Sequence, residues 1–140
     1  MNLVVDTNIL VSGIFWAGKP RQLLELWVEE VVTLVATPQI LSEYLDVIGR
    51  LQRHDIELSQ KWKEFIVENI EITHSNINVS ICRDKKDNMF IECALSCGSE
   101  YIISGDDDLL CLKEFDKIKI VTVAEFLKKI SSVEFGRPAP

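Results

Sequence analysis

Tyr101-Ile102-Ile103-Ser104-Gly105-Asp106 decides the fold: three large apolar residues, a small hydroxyl residue, a glycine and a carboxylate. Short apolar runs bounded by turn residues read as strands buried on both faces. The chain opens in the same way, with Leu3-Val4-Val5 running into Asp6-Thr7-Asn8. Between these strands the period becomes helical. Leu23, Leu24, Trp27 and Val28 follow Pro20 at helix spacing, and Thr33 to Ala36 reads as another buried strand. Thr37 and Pro38 then supply an N-cap and a first-turn proline for a helix reaching about Arg53. Leu58, Trp62, Phe65, Ile66 and Ile70 mark a further amphipathic helix, and Glu71 to His74 a short strand.

Met89, Phe90, Cys93, Ala94 and Cys97 line one face of a helix from Lys86 to Cys97, which Gly98 stops. After the Tyr101 strand come a short helix through Leu109, Leu110 and Leu112, a last strand from Ile118 to Val121, and a closing helix. Thr122 caps that helix, and Phe126, Leu127 and Ile130 lie along it. Strands alternating with helices predict an α/β fold: a three-layer α/β/α sandwich with a mainly parallel central sheet. One domain is expected over residues 1–130, with a loosely held C-terminal tail over 131–140.

The chain has 140 residues, 47% of them hydrophobic, which suits one folded domain with a real core. Its net charge of −7 is unusual for a partner of nucleic acid, unless several carboxylates are metal ligands. No secretory leader and no membrane-spanning apolar run is evident. Cys82, Cys93, Cys97 and Cys111 contain no CxxC pair, and only His54 and His74 could assist them, so a structural zinc site is not expected. The expectation is a reduced, cytoplasmic protein.

In open parallel sheets, ligands bind beyond the carboxyl ends of the strands. Asp6 and Asp106 both stand there, although either alone would serve as a helix cap. Glu43 is a third candidate. At about 100° per residue, it borders the apolar arc of Ile40, Leu41, Tyr44, Val47, Ile48 and Leu51, whereas Asp46 lies opposite. Asp87 is a fourth, in the first turn of its helix, where the helix dipole alone would justify it. Asp84, three residues earlier, is expected outside the helix and exposed. Converging carboxylates repel one another unless a cation joins them, and all-oxygen ligation suits Mg²⁺ or Mn²⁺.

Four blocks then resemble the PIN-domain family, in particular small prokaryotic proteins of the VapC-like toxin type. They are Val4 to Ser12, Ile40 to Tyr44, Asp87 to Leu95 and Tyr101 to Leu110, and the resemblance covers about residues 2–130. It implies a metal-dependent endoribonuclease with acidic ligands at Asp6, Glu43, Asp87 and Asp106. Asp108 matches a further acidic position, and Asn8 a polar position that supports the site by fixing Asp6. Ser104 stands where relatives often have Thr, and Asp107 is an extra acid expected in solvent. The resemblance also implies an RNA substrate, a cognate antitoxin and a homodimer, for which Phe15 and Trp16 are candidate exposed apolar contacts. Two other readings stand beside it. One is a catalytically silent PIN-like binding module. The other is a different metal phosphohydrolase, such as a haloacid dehalogenase, against which Asn8 counts, because that chemistry needs a second Asp there.

Overall fold

The computed structural model describes the backbone of residues 1–135 and the side chains of residues 1–131. The chain runs β1 (Asn2–Val5), α1 (Thr7–Phe15), α2 (Lys19–Val28), β2 (Thr33–Ala36), α3 (Pro38–Leu51), α4 (Ile56–Asn69) and β3 (Glu71–Ile72). It continues through α5 (Asn88–Cys97), β4 (Tyr101–Ile103), α6 (Asp107–Leu110), β5 (Glu114–Phe115), β6 (Ile118–Val121) and α7 (Val123–Phe135). Single 3₁₀ turns at Gln52–His54 and Lys85–Asp87 precede α4 and α5.

The six strands form one sheet in the order β3-β2-β1-β4-β6-β5, and every pair but β5–β6 is parallel. From β1 the chain moves outward to β2 and β3, then crosses back to β4 and on to β6. Right-handed crossovers place connections that move in opposite directions on opposite faces. Hence α1 and α2 cover one face, with α7 packed on α2, while α5 lies on the other against β1, β2 and β4. The expected three-layer α/β/α sandwich is the observed fold. Strands β1 and β4 sit at its centre, and Leu3, Val4, Val5, Ile102 and Ile103 are wholly buried there. No helix among the described residues is long and apolar enough to cross a membrane.

Two elements differ from the sequence reading. Helix α1 has no sequence signal, because Thr7–Phe15 carries no charge and several β-branched residues and so lacks an amphipathic period. It forms because Asp6 caps it and because it is buried on most sides, at Thr7, Leu10, Val11, Gly13 and Ile14. The β5–β6 hairpin is likewise silent in the sequence. Its two-residue turn, Asp116-Lys117, has positive φ at both positions (48° and 71°), without the Gly or Asn that normally signals such a turn. The closing helix runs to Phe135, so the first part of the expected tail is helical backbone; 136–140 lie outside the described residues.

The left-handed turn gives a direct test of the hairpin. The double substitution Asp116→Asn with Lys117→Gly is expected to stabilise the protein by about 1 kcal/mol, read as a shift of the urea midpoint at unchanged slope.

Candidate active site

The parallel pairing of β1 with β4 matches Val5 with Ile103, so both strands end at the same level of the sheet. The Asp6 N–H closes the ladder by donating to the Ile103 carbonyl at 2.9 Å, and the chain then turns into α1. Asp6 is the cap of that helix: its Oδ1 accepts from the Asn8 N–H at 3.4 Å. Its Oδ2 accepts from the Ser104 hydroxyl at 2.7 Å. The same hydroxyl accepts from the Asp106 N–H at 3.0 Å, and Asp106 Oδ1 in turn accepts from the Asp108 N–H at 2.9 Å, capping α6. Ser104 is wholly buried. One hydroxyl therefore ties together the two acids that succeed neighbouring strands.

Glu43 comes from the second turn of α3 and is half-buried, on the border of the apolar arc as expected. The Thr7 hydroxyl, at the start of α1, donates to Glu43 Oε2. Next to Glu43, the fully buried Tyr44 hydroxyl donates to the Val5 carbonyl, fixing α3 to the end of β1 one residue before Asp6. Two direct bonds thus hold this end of α3 over the sheet edge.

Asp87 closes the 3₁₀ turn and stands at the N-cap of α5, yet its side chain makes no capping bond. It is 7% exposed, and its Oδ2 has no hydrogen-bond partner among the described residues. A capping bond therefore does not account for the acid here, and only the attraction of the helix dipole remains. A cap would give its oxygens to the first N–H groups of the helix, and this carboxylate gives them nothing.

Asp6, Asn8, Glu43, Asp87 and Asp106 line a single pocket of about 230 Å³, together with Thr7, Asp84, Arg50 and Lys86. Burial pushes the Asp87 carboxyl up to about 7, reinforced by the negative charges of Asp106, Asp6 and Asp84. Burial also raises Asp6 above its ordinary value, against the hydrogen bonds from Ser104 and Asn8, with Asp106 and Glu43 adding repulsion. Both shifts have the same first cause, removal of the carboxyl from water, and the negative charge gathered at the sheet edge adds to it.

Asp108 lies beside this pocket, paired with Arg83 at 3.0 Å, and its carboxylate is near those of Asp84 and Asp87. Asn8 acts on Asp6 through its backbone N–H, and its side chain is exposed. The side chain that fixes Asp6 is instead Ser104. Asp107 is exposed, as expected. Thr7 and Asp84 join the pocket without being candidates from the sequence. Thr7 carries a local signal, a hydroxyl at the first position of a helix capped by a candidate ligand. Asp84 is exposed, as its position predicts, but the 3₁₀ turn folds it back over the pocket mouth. His54 and His74 are absent from the pocket lining.

The charge on Asp87 gives a pH test. Unfolded, this group loses its proton near the ordinary 3.8; folded, it keeps it to about 7. The native state therefore binds more protons across that window, and metal-free stability falls as pH rises through it. Asp87→Asn is expected to flatten this dependence and to be more stable than the wild type at about pH 8, by about 1 kcal/mol or more, while differing little at about pH 4. Urea unfolding in EDTA at several pH values would measure both.

A sequence profile of the PIN domain matches residues 2–108. An uncharacterized protein of Methanocaldococcus jannaschii is 28% identical over 143 aligned positions, which span 92% of this chain and 91% of that protein. Among solved structures, the PIN domain of human SMG5 aligns over 93% of this chain and 99% of its own, at 12% identity and a TM-score of 0.51. At that identity the likeness speaks for the fold alone. With the profile spanning both acid-bearing strands of the sheet centre, the chain belongs to the PIN-domain family.

Proposed function

We propose that this protein is a divalent-metal-dependent endoribonuclease whose centre is the pocket of Asp6, Glu43, Asp87 and Asp106, and that it acts as the toxin of a toxin–antitoxin pair. PIN domains are in general nucleases, which supports the reaction class. The observation that carries the reading is the Asp87 carboxylate: buried, without a donor, and held against Asp106 and Asp6. Burying such a group is costly unless a cation joins it. The donors around it are carboxylates, the set that suits Mg²⁺ or Mn²⁺. Asp6 and Asp106 would hold the ion most directly, with Glu43 and Asp87 completing the set and Asp108 at its edge.

Once bound, the ion supplies an acidified water and positive charge against the phosphoryl oxygens. The chain's own residues supply position. Ser104 and the Asn8 N–H each engage one oxygen of Asp6, which fixes the carboxylate plane. Thr7 does the same for Glu43. An adjoining groove of about 400 Å³ shares Glu43, Lys86 and Met89 with the pocket and adds Lys85 and Gln39. It offers a single strand a path out of the acidic centre along two lysines, which would meet phosphates.

For an antitoxin, the pocket offers negative charge to a basic segment. Phe15 and Trp16 offer an apolar contact to such a protein or to a second protomer: Trp16 is 52% exposed and packs near Phe15 and His54. The four free cysteines accord with the reducing cytoplasm.

The decisive experiment incubates the protein with a panel of single-stranded RNAs in Mn²⁺, Mg²⁺ or EDTA. Cleavage is expected with metal, and is expected to vanish in EDTA and in Asp6→Asn and Asp106→Asn. Ser104→Ala should retain activity lowered by about 10- to 100-fold, since it removes a support and leaves every carboxylate in place. Cleavage that persists in both aspartate variants would overturn the site. Absence of both cleavage and metal binding would instead favour a silent binding module.

A further inference from the structure

Helices α1 and α3 both lead away from the pocket and end together at a cluster of three rings. Helix α1 begins at Thr7 and α3 passes the pocket at Glu43, the two side chains being hydrogen-bonded. Glu43, Val47 and Arg50 line the pocket at helical spacing, and His54 continues that stripe in the 3₁₀ turn after α3. The interval from Glu43 to His54, at about 1.5 Å per residue, carries the stripe roughly 16 Å along the helix. There the His54 ring lies 6.4 Å from that of Phe15 and 6.3 Å from that of Trp16, and Phe15 and Trp16 lie 5.9 Å apart.

Two features separate this cluster from an ordinary apolar patch. The first is ring geometry. The interplanar angles are 61°, 63° and 58°, so no ring lies flat on another. The indole of Trp16 is half exposed and open to a planar group from outside. The second is charge. The chain has 22 acidic residues, yet none falls from Thr7 to Leu24 or from Val47 to His54, the segments that meet here. Their cations are Lys19, Arg21, Arg50 and Arg53. The Arg21 guanidinium stands at the end of α1, donating to the Gly13 and Ile14 carbonyls at 3.2 Å. Helix dipoles favour cations at these ends, but Arg50 also lines the pocket and so joins the rings to the acidic centre. A protein contact needs only apolar area. Exposed rings within a cationic, acid-free margin suit bases joined by phosphates.

We propose that Trp16, backed by Phe15 and His54, is a stacking platform for a base of single-stranded RNA, with Arg50 and Arg53 supplying charge for the phosphates between it and the acidic centre. The inference rests on the reading of the pocket as a ribonuclease centre and adds where the strand lies. Gln39, in the lysine-bearing groove, and Arg50, in the pocket, stand on opposite sides of Glu43 along α3. A strand crossing the centre therefore has a cationic path both ways, toward Lys85 and Lys86 on one side and toward the rings on the other. Every base has a π face, so the platform adds affinity and holds the strand without dictating its sequence.

The test separates binding from cleavage. A fluorescein-labelled single-stranded RNA of about 10 nucleotides is titrated with protein in Ca²⁺ and its anisotropy followed, with gels to show that it stays intact. Trp16→Leu keeps apolar bulk but removes the aromatic face, and should weaken binding by about fivefold to a hundredfold. Trp16→Phe should recover most of the loss. A single abasic nucleotide, walked along the RNA, should weaken wild-type binding at one position and leave Trp16→Leu unaffected there. In Mn²⁺, Trp16→Leu should raise KM for cleavage and leave kcat unchanged. Equal affinity of wild type and Trp16→Leu, or equal sensitivity of the two to the abasic site, would overturn the platform. A change of sedimenting mass in Trp16→Leu at unchanged RNA affinity would also overturn it, and would assign the rings to a protein contact. Metal-dependent cleavage by the wild type in either case would spare the reading of the pocket. Absence of both RNA binding and cleavage in the wild type would overturn both.

Discussion

The Ser104 hydroxyl is the constraint on which the site depends. It lies at the end of β4, donates to Asp6 from the neighbouring strand β1, and accepts the backbone N–H of Asp106. A parallel pair brings its two strand ends to one level, but does not orient the acids that come after them. The hydroxyl does, because it can give one bond and take another. Alanine here would leave Asp6 Oδ2 and the Asp106 N–H without their partner at a buried point, at a cost of about 1–3 kcal/mol for an unmade buried bond. Threonine would keep the bond; valine would not. The Tyr44 bond to the Val5 carbonyl plays a similar part for α3.

Around that hinge the chain accumulates charge that works against its own stability. Four carboxylates converge at a sheet edge, and the Asp87 carboxyl is driven up to about 7 by burial and by its neighbours. A protein selected only for a stable fold would have placed an amide or an apolar residue there. The acids persist against a physical cost, and the donors supplied to them are selective. Asp6 has both oxygens engaged and Glu43 has the Thr7 hydroxyl, whereas Asp87 has an oxygen left over. The protein fixes directions and leaves charge unneutralised, which is the condition for binding an external cation strongly.

Much of this is legible from residue patterns. Apolar runs ending in Asp mark β1 and β4 and put their acids at one edge, and helical period puts Glu43 on the border of α3. Structure without a pattern of its own escapes such a reading. Helix α1 is buried on most sides and therefore has no polar face to reveal its period. The Asp116-Lys117 turn adopts a left-handed backbone with residues that do not advertise it. Asp84 and Thr7 are hidden for a different reason: each depends on where a short turn points a side chain, and one residue of 3₁₀ geometry rotates that direction by about 120° rather than 100°. The helix expected to begin at Lys86 instead begins at Asn88, after such a turn.

The net charge of −7, which at first opposes a nucleic-acid partner, fits once location is considered. Phosphate affinity depends on the field where the strand lies, and a protein-wide sum says little about it. Five of the 22 acids line one pocket whose rim carries Arg50 and Lys86, and the adjoining groove adds Lys85. Without metal, that pocket repels a polyanion. Divalent ions among the carboxylates would offset that charge, and the rim cations would then add to the attraction. Metal and substrate are therefore coupled through charge alone: each ion bound should favour the strand, and the strand should favour each ion by the same factor. On the proposed metal-dependent reading, nucleic acid would be recognised only with those cations in place.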